Sequence, residues 1–110
     1  MINRNKILSL LIFGCLSIPA VADGPGWTGS RDVVEVVTVI NGGINVKLEP
    51  LLNDCVSQSG YGPRYAYISP DHPGLKLFQT NLLAAMMTGK KVALYLGDAT
   101  CKATEMRLYK

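Results

Sequence analysis

The chain has 110 residues, a formal net charge of +3 and a hydrophobic content of 48%. This length suits one small domain with a thin hydrophobic core. The sequence lacks the strongly basic composition of a nucleic-acid-binding protein. Beyond the first 22 residues, it also lacks an apolar run long enough to span a bilayer.

Residues 1–22 have the pattern of a secretory signal peptide. Arg4 and Lys6 give a positive start, an apolar run covers residues 7–16, and an Ala-Val-Ala exit precedes Asp23. We therefore predict cleavage after residue 22 and a secreted or periplasmic protein. A retained membrane anchor is the alternative, but the run is short for a spanning helix and is interrupted by a proline.

Cleavage leaves residues 23–110 as a single domain, and Lys plus Arg falls from 11 to 9 against eight acidic residues, a charge of +1. Of three cysteines, Cys55 and Cys101 remain, and an even pair in a small secreted domain predicts a disulfide. The bridge would contribute about 3–4 kcal/mol by restricting the unfolded chain.

Besides a retained membrane anchor, the second alternative for residues 1–22 is the leader of a lipoprotein that is modified at Cys15.

The first predicted elements form a β-hairpin after a turn-rich arm at residues 24–30. Val33–Ile40 is almost entirely β-branched and apolar on both faces, which predicts a strand that is central or covered on both sides. Asn41-Gly42 predicts a type I′ turn, and residues 44–49 alternate with the apolar side chains inward.

Further strands are predicted at residues 64–69, 91–96 and 104–109, with one helix over residues 75–88. Asp71 or His72 is the predicted N-cap, and Gly89 is the predicted C′ residue. Helical spacing places one set of side chains on the buried face: Leu75, Phe78, Leu82, Ala85 and Met86. Leu77, Leu83 and Met87 fall outside that face, either as scattered exposed residues or as a contact surface for another subunit.

This order, β-β-β-α-β-β, predicts a mainly β protein with an OB-fold-like five-stranded antiparallel barrel. An open α+β sheet with the helix across one face is the alternative. The compartment and the charge argue against nucleic acid, the usual ligand of this fold.

No set of residues predicts catalysis, a cofactor or a metal site. His72 is the single histidine, the acidic residues are scattered, and zinc-ligand spacing is absent. Four amphipathic side chains are instead candidates for ligand binding: Trp27, Tyr61, Arg64 and Tyr65. The alternative for Tyr65 and Tyr67 is packing on a neighbouring strand.

Three short motifs carry a family resemblance: Trp27-Thr28-Gly29, Leu-Leu-Ala-Ala at residues 82–85, and Thr-Gly-Lys-Lys-Val at residues 88–92. With the leader and the element order, the first and third motifs resemble the receptor-binding B subunits of subtilase-cytotoxin-type AB5 toxins. The chain also resembles small secreted proteins of Gram-negative bacteria, which share the loop between the cysteines and the Leu-Leu-Ala-Ala helix. The resemblance implies an OB-like fold, a ring of five subunits and binding to sialylated glycans. No sugar-contacting residue of that family matches a position here.

The sequence thus favours a non-enzymatic binding module, secreted or periplasmic, that recognises a glycan or a protein receptor and forms a homo-oligomer. After removal of the leader, no association with a membrane is predicted. The alternative is a monomeric periplasmic structural or accessory protein without a small-molecule site.

Overall fold

A computed structural model describes residues 25–53, 61 and 64–110. Within them the chain is mainly β with one helix: β1 (Gly26–Trp27), β2 (Asp32–Thr38), β3 (Ile44–Glu49), β4 (Tyr65–Ile68), α1 (Leu75–Thr88), β5 (Val92–Leu96) and β6 (Ala103–Leu108). The strands form two three-stranded antiparallel sheets, ordered β1-β5-β6 and β2-β3-β4.

This arrangement differs from the predicted closed barrel of five strands. The additional strand, β1, lies in the segment that the sequence predicts as an arm, and it pairs with β5. Gly29 has a φ of 78°, which side-chain-bearing residues rarely adopt, and it allows the chain to turn between β1 and β2. Two isolated bridges connect the sheets, an antiparallel one at Arg31 and Val92 and a parallel one at Tyr67 and Lys102.

The β2–β3 hairpin is present, but the predicted type I′ turn is wrong. Among the loop residues only Gly42 has a positive φ, whereas a type I′ turn needs two such residues. The Gly42 amide donates to the Val39 carbonyl at 2.8 Å, and the Asn41 side chain accepts from the Gly43 amide at 2.9 Å. These bonds give a loop longer than a two-residue turn, in which Gly42 alone takes a positive φ.

The prediction that the first strand is central or covered on both sides is also wrong. β2 lies at the edge of its sheet. A bulge between Val33 and Glu35 makes Val34 an extra residue without a partner on β3, and Val34 is 48% exposed. The apolar residues on the other face, Val33 and Val36, pack against the core.

The helix has the predicted bounds and ends at Gly89 in the left-handed conformation. Its N-cap is Gly74, so the prediction of Asp71 or His72 is wrong. His72 instead accepts a hydrogen bond from the Gly74 amide through Nδ1 (2.9 Å) and donates through Nε2 to the Thr104 carbonyl (2.8 Å). The imidazole therefore joins the start of the helix to β6.

The core lies where both sheets and the helix meet. Phe78, Leu82 and Ala85 of the helix are buried in it, while Met86, predicted on the same face, is 39% exposed. The core also contains the alternating inward side chains of the strands, as predicted: Ile44, Val46, Leu48, Val92, Leu94 and Leu96. The opposite faces of the two sheets are therefore the surfaces on which a site can form.

Candidate functional site

The outer face of the β1-β5-β6 sheet carries an aromatic and basic cluster. Trp27 lies opposite Tyr95 and Arg107 lies opposite Ala93 in the strand register. Tyr109 follows Arg107 by two residues, and its amide donates to the Lys91 carbonyl at 2.9 Å, which places it on the same face. We call Trp27, Ala93, Tyr95, Arg107 and Tyr109 the tryptophan surface.

Trp27 is the centre of the contacts on this surface. Its ring centroid lies 5.4 Å from that of Tyr95 in an edge-to-face arrangement. The guanidinium carbon of Arg107 lies 4.2 Å from the Trp27 ring centroid, within the range of a cation–π interaction. Trp27 and Tyr109 are each 38% exposed, so the cluster is accessible to a ligand.

Backbone pairing fixes the position of Trp27. The next residue, Thr28, is buried; its amide donates to the Leu94 carbonyl at 2.9 Å, and its hydroxyl accepts from the Leu94 amide at 3.1 Å. The Arg31 side chain donates to the carbonyls of Thr28, Pro50 and Leu51 at 2.9–3.0 Å. Because these bonds involve both sheets, the loop after β1 is held in place.

A second aromatic group lies on the β2-β3-β4 sheet. The Tyr65 hydroxyl donates to the Glu35 carboxylate at 2.7 Å, across the intervening Lys47. The rings of Tyr61 and Tyr65 meet edge to face with centroids 5.4 Å apart. The bond to Glu35 holds the Tyr65 proton and raises the pKa of that phenol above its ordinary value.

The four predicted ligand-binding residues do not form one site. The structure brings Tyr61 and Tyr65 together and places exposed Arg64 beside β4, whereas Trp27 lies in the other sheet. Tyr67 is buried, in agreement with packing on its neighbours.

Tyr95 and Arg107 were missed by reasoning from the sequence. Their outward position follows from the alternation of β5 and β6, but their contact with Trp27 depends on β1, which the sequence did not predict.

Cys101, the other predicted site residue that the structure describes, is disulfide-bonded and fully buried. Cys55, its predicted partner, lies outside the described residues, as does Cys15. The pairing of Cys55 with Cys101 therefore stays a prediction.

Within residues 25–53, 61 and 64–110, no group of three or more His, Cys, Asp or Glu side chains has a geometry that could hold a metal ion. In the same part of the chain, no helix has the length and apolar character needed to cross a membrane.

The Tyr65–Glu35 bond predicts a pH dependence. Because the folded-state pKa is raised, the bond stabilises the fold fully below the ordinary phenol pKa of 10.0, and this contribution is lost as the pH rises through the folded-state value. We expect an ultraviolet titration of the wild type minus Tyr65→Phe to show a phenolate midpoint above 10.0. Glu35→Ala removes the acceptor and should lower this midpoint; a midpoint unchanged by Glu35→Ala would show that the bond is not the cause.

The chain matches no protein-family model, and no curated protein or solved structure shows significant similarity to it.

Proposed function

We propose that the chain is a non-enzymatic binding module, secreted or periplasmic, that recognises a glycan or protein receptor through the tryptophan surface. The contact between Arg107 and the partly exposed Trp27 is the observation that carries this proposal. Trp, Tyr and Arg are the residue types most enriched among the energetically dominant residues of interfaces. Strands held by backbone hydrogen bonds keep such residues at fixed backbone positions, so little backbone entropy is lost when a ligand binds.

We also propose that the two sheets together are an OB-like barrel with two open seams. The bridges at Arg31–Val92 and Tyr67–Lys102 support this, because Arg31 directly precedes β2 and Lys102 directly precedes β6. They therefore bring one end of β2 beside β5 and one end of β6 beside β4, without closing the two sheets. The parallel direction of the bridge between β4 and β6 and the position of α1 between β4 and β5 are also typical of that fold.

Binding of the purified protein to a glycan array and a peptide array tests the function. We expect a signal on at least one array that Trp27→Ala removes. Tyr61→Ala is the matched control, since it truncates a comparably exposed ring (44% against 38%) that contacts Tyr65 of the other sheet, and it should preserve the signal.

A loss caused by Tyr61→Ala alone would assign the contact to the tyrosine pair. If neither array gave a signal, the binding function would be wrong and a structural or accessory role would be favoured.

The relationship to toxin B subunits and a homo-oligomeric state are part of the proposal. Leu83, Met86 and Met87 are 38%, 39% and 81% exposed near the end of α1, and a subunit contact would remove such apolar surface from water. Mass measured in solution tests this, since a ring of five subunits would support the relationship and a monomer at all concentrations would contradict it.

A further inference from the structure

We infer that the ligand of the tryptophan surface is a protein segment presenting a carboxylate side chain beside an apolar one, with Arg107 as the carboxylate-binding residue. This inference rests on the proposed binding function and names the partner of the same surface. It is carried by the position of Arg107, by the donors that Arg107 leaves available, and by the charges around it.

The Trp27 ring holds the guanidinium in place. At 4.2 Å from the ring centroid, Arg107 covers part of an indole face, and Tyr95 contacts the same indole ring. A sugar ring that stacks on an aromatic residue needs an open face, so stacking there would have to displace Arg107. A ligand that binds Arg107 directly leaves the contact between Arg107 and Trp27 unchanged.

The donors of Arg107 are available for a ligand. Among residues 25–53, 61 and 64–110, none accepts a hydrogen bond from the Arg107 side chain or forms an ion pair with it. A guanidinium presents its N–H groups as a planar fork that matches the two oxygens of a carboxylate. Stacking on Trp27 restricts the side chain before binding, which reduces the entropy lost when the carboxylate binds.

Arg107 is the cation of the tryptophan surface, and the nearby charges affect where a carboxylate can lie. Lys91, just before β5, forms an ion pair with Asp32 at 2.9 Å. Glu105 lies opposite Tyr95 on β6, two residues from Arg107, and would repel a second carboxylate placed over Tyr95. The acidic group is therefore expected on the Tyr109 side of Arg107.

The surroundings of Arg107 define the rest of the ligand. Ala93 lies opposite Arg107 and is 1% exposed, so larger side chains of the same face cover it. Trp27 contacts the guanidinium, and Tyr95 and Tyr109 lie on the same face of the sheet, where they offer further apolar ring surface. An apolar side chain next to the carboxylate would contact these rings, which a carboxylate alone would not.

Two immobilised peptide sets with the same random flanks, differing only in a fixed central Glu or Gln, test the inference with the purified protein. We expect binding to the Glu set, strongest with Leu, Phe or Tyr beside the acid, and weaker at higher salt. Arg107→Gln should weaken it about 10- to 100-fold, because a hydrogen bond to a charged group is lost. Arg107→Lys should recover part of the affinity.

Lys76→Gln is the matched control, since it also replaces a basic side chain with glutamine, at an exposed residue of α1, and should leave binding unchanged. Equal binding to the Glu and Gln sets, or binding insensitive to Arg107→Gln, would overturn the inference. A glycan-array signal removed by Trp27→Ala, with no signal from the Glu set, would also overturn it while preserving the proposed function. Silence on the glycan array and on both peptide sets would contradict the proposed function itself.

Discussion

Leu82→Ala should lower the free energy of unfolding by about 2–5 kcal/mol, the usual range for truncating a buried leucine. Leu82 has no exposed surface and belongs to the core cluster in which α1 meets both sheets. The truncation removes apolar contacts and leaves a cavity that the two sheets cannot readily close, since their inward side chains are fixed by strand register. Chemical denaturation at neutral pH measures the change.

Leu83→Ala is a closely matched control, because it truncates the same residue type one position further along the same helix. Leu83 is 38% exposed, so less apolar surface is lost, and alanine is slightly better than leucine as a helix former. At a protein concentration where the chain is monomeric, we expect a change within about 1 kcal/mol for Leu83→Ala. Equal losses for the two variants would show that the helix is not oriented as described.

The elements that the sequence predicted well are those in which local signals agree with burial. In β3, Ile44, Val46 and Leu48 alternate at the period of a strand and are all buried. In α1, residues 78, 82 and 85 follow helical spacing, and Gly89 can adopt the left-handed conformation that ends the helix. Each of these signals acts within a few residues of chain, so no knowledge of distant contacts was needed.

The features that the sequence did not predict depend on distant partners. Gly26 and Trp27 form a strand only because β5 supplies backbone partners almost 70 residues later. Val34 is β-branched like Val33 and Val36, yet a bulge places it outside the core. The contact between Trp27 and Arg107 depends on two such distant pairings, since it needs β1 on one side of β5 and β6 on the other.

Cys101→Ser should lower the free energy of unfolding by about 2–4 kcal/mol, the typical contribution of a disulfide. Cys101 is fully buried and disulfide-bonded, and its carbonyl accepts from the Tyr67 amide at 2.8 Å. It has a φ of 63°, in the region that favours glycine. The next residue, Lys102, forms the bridge to Tyr67, so the disulfide anchors the chain where β6 meets β4. Denaturant unfolding of the oxidised wild type and the variant measures the loss.

Cys55→Ser tests whether Cys55 is the disulfide partner of Cys101, and it also measures the loss of stability when the bridge is absent. If Cys55 and Cys101 are paired, either single substitution leaves one free thiol in the secreted protein, and the two variants lose similar stability. Reduction of the wild type should then give a protein about as stable as either variant, because all three lack the same constraint on the unfolded chain. A Cys55→Ser variant with no free thiol and wild-type stability would contradict this pairing and would leave Cys15, and hence a retained leader, as the partner within the chain.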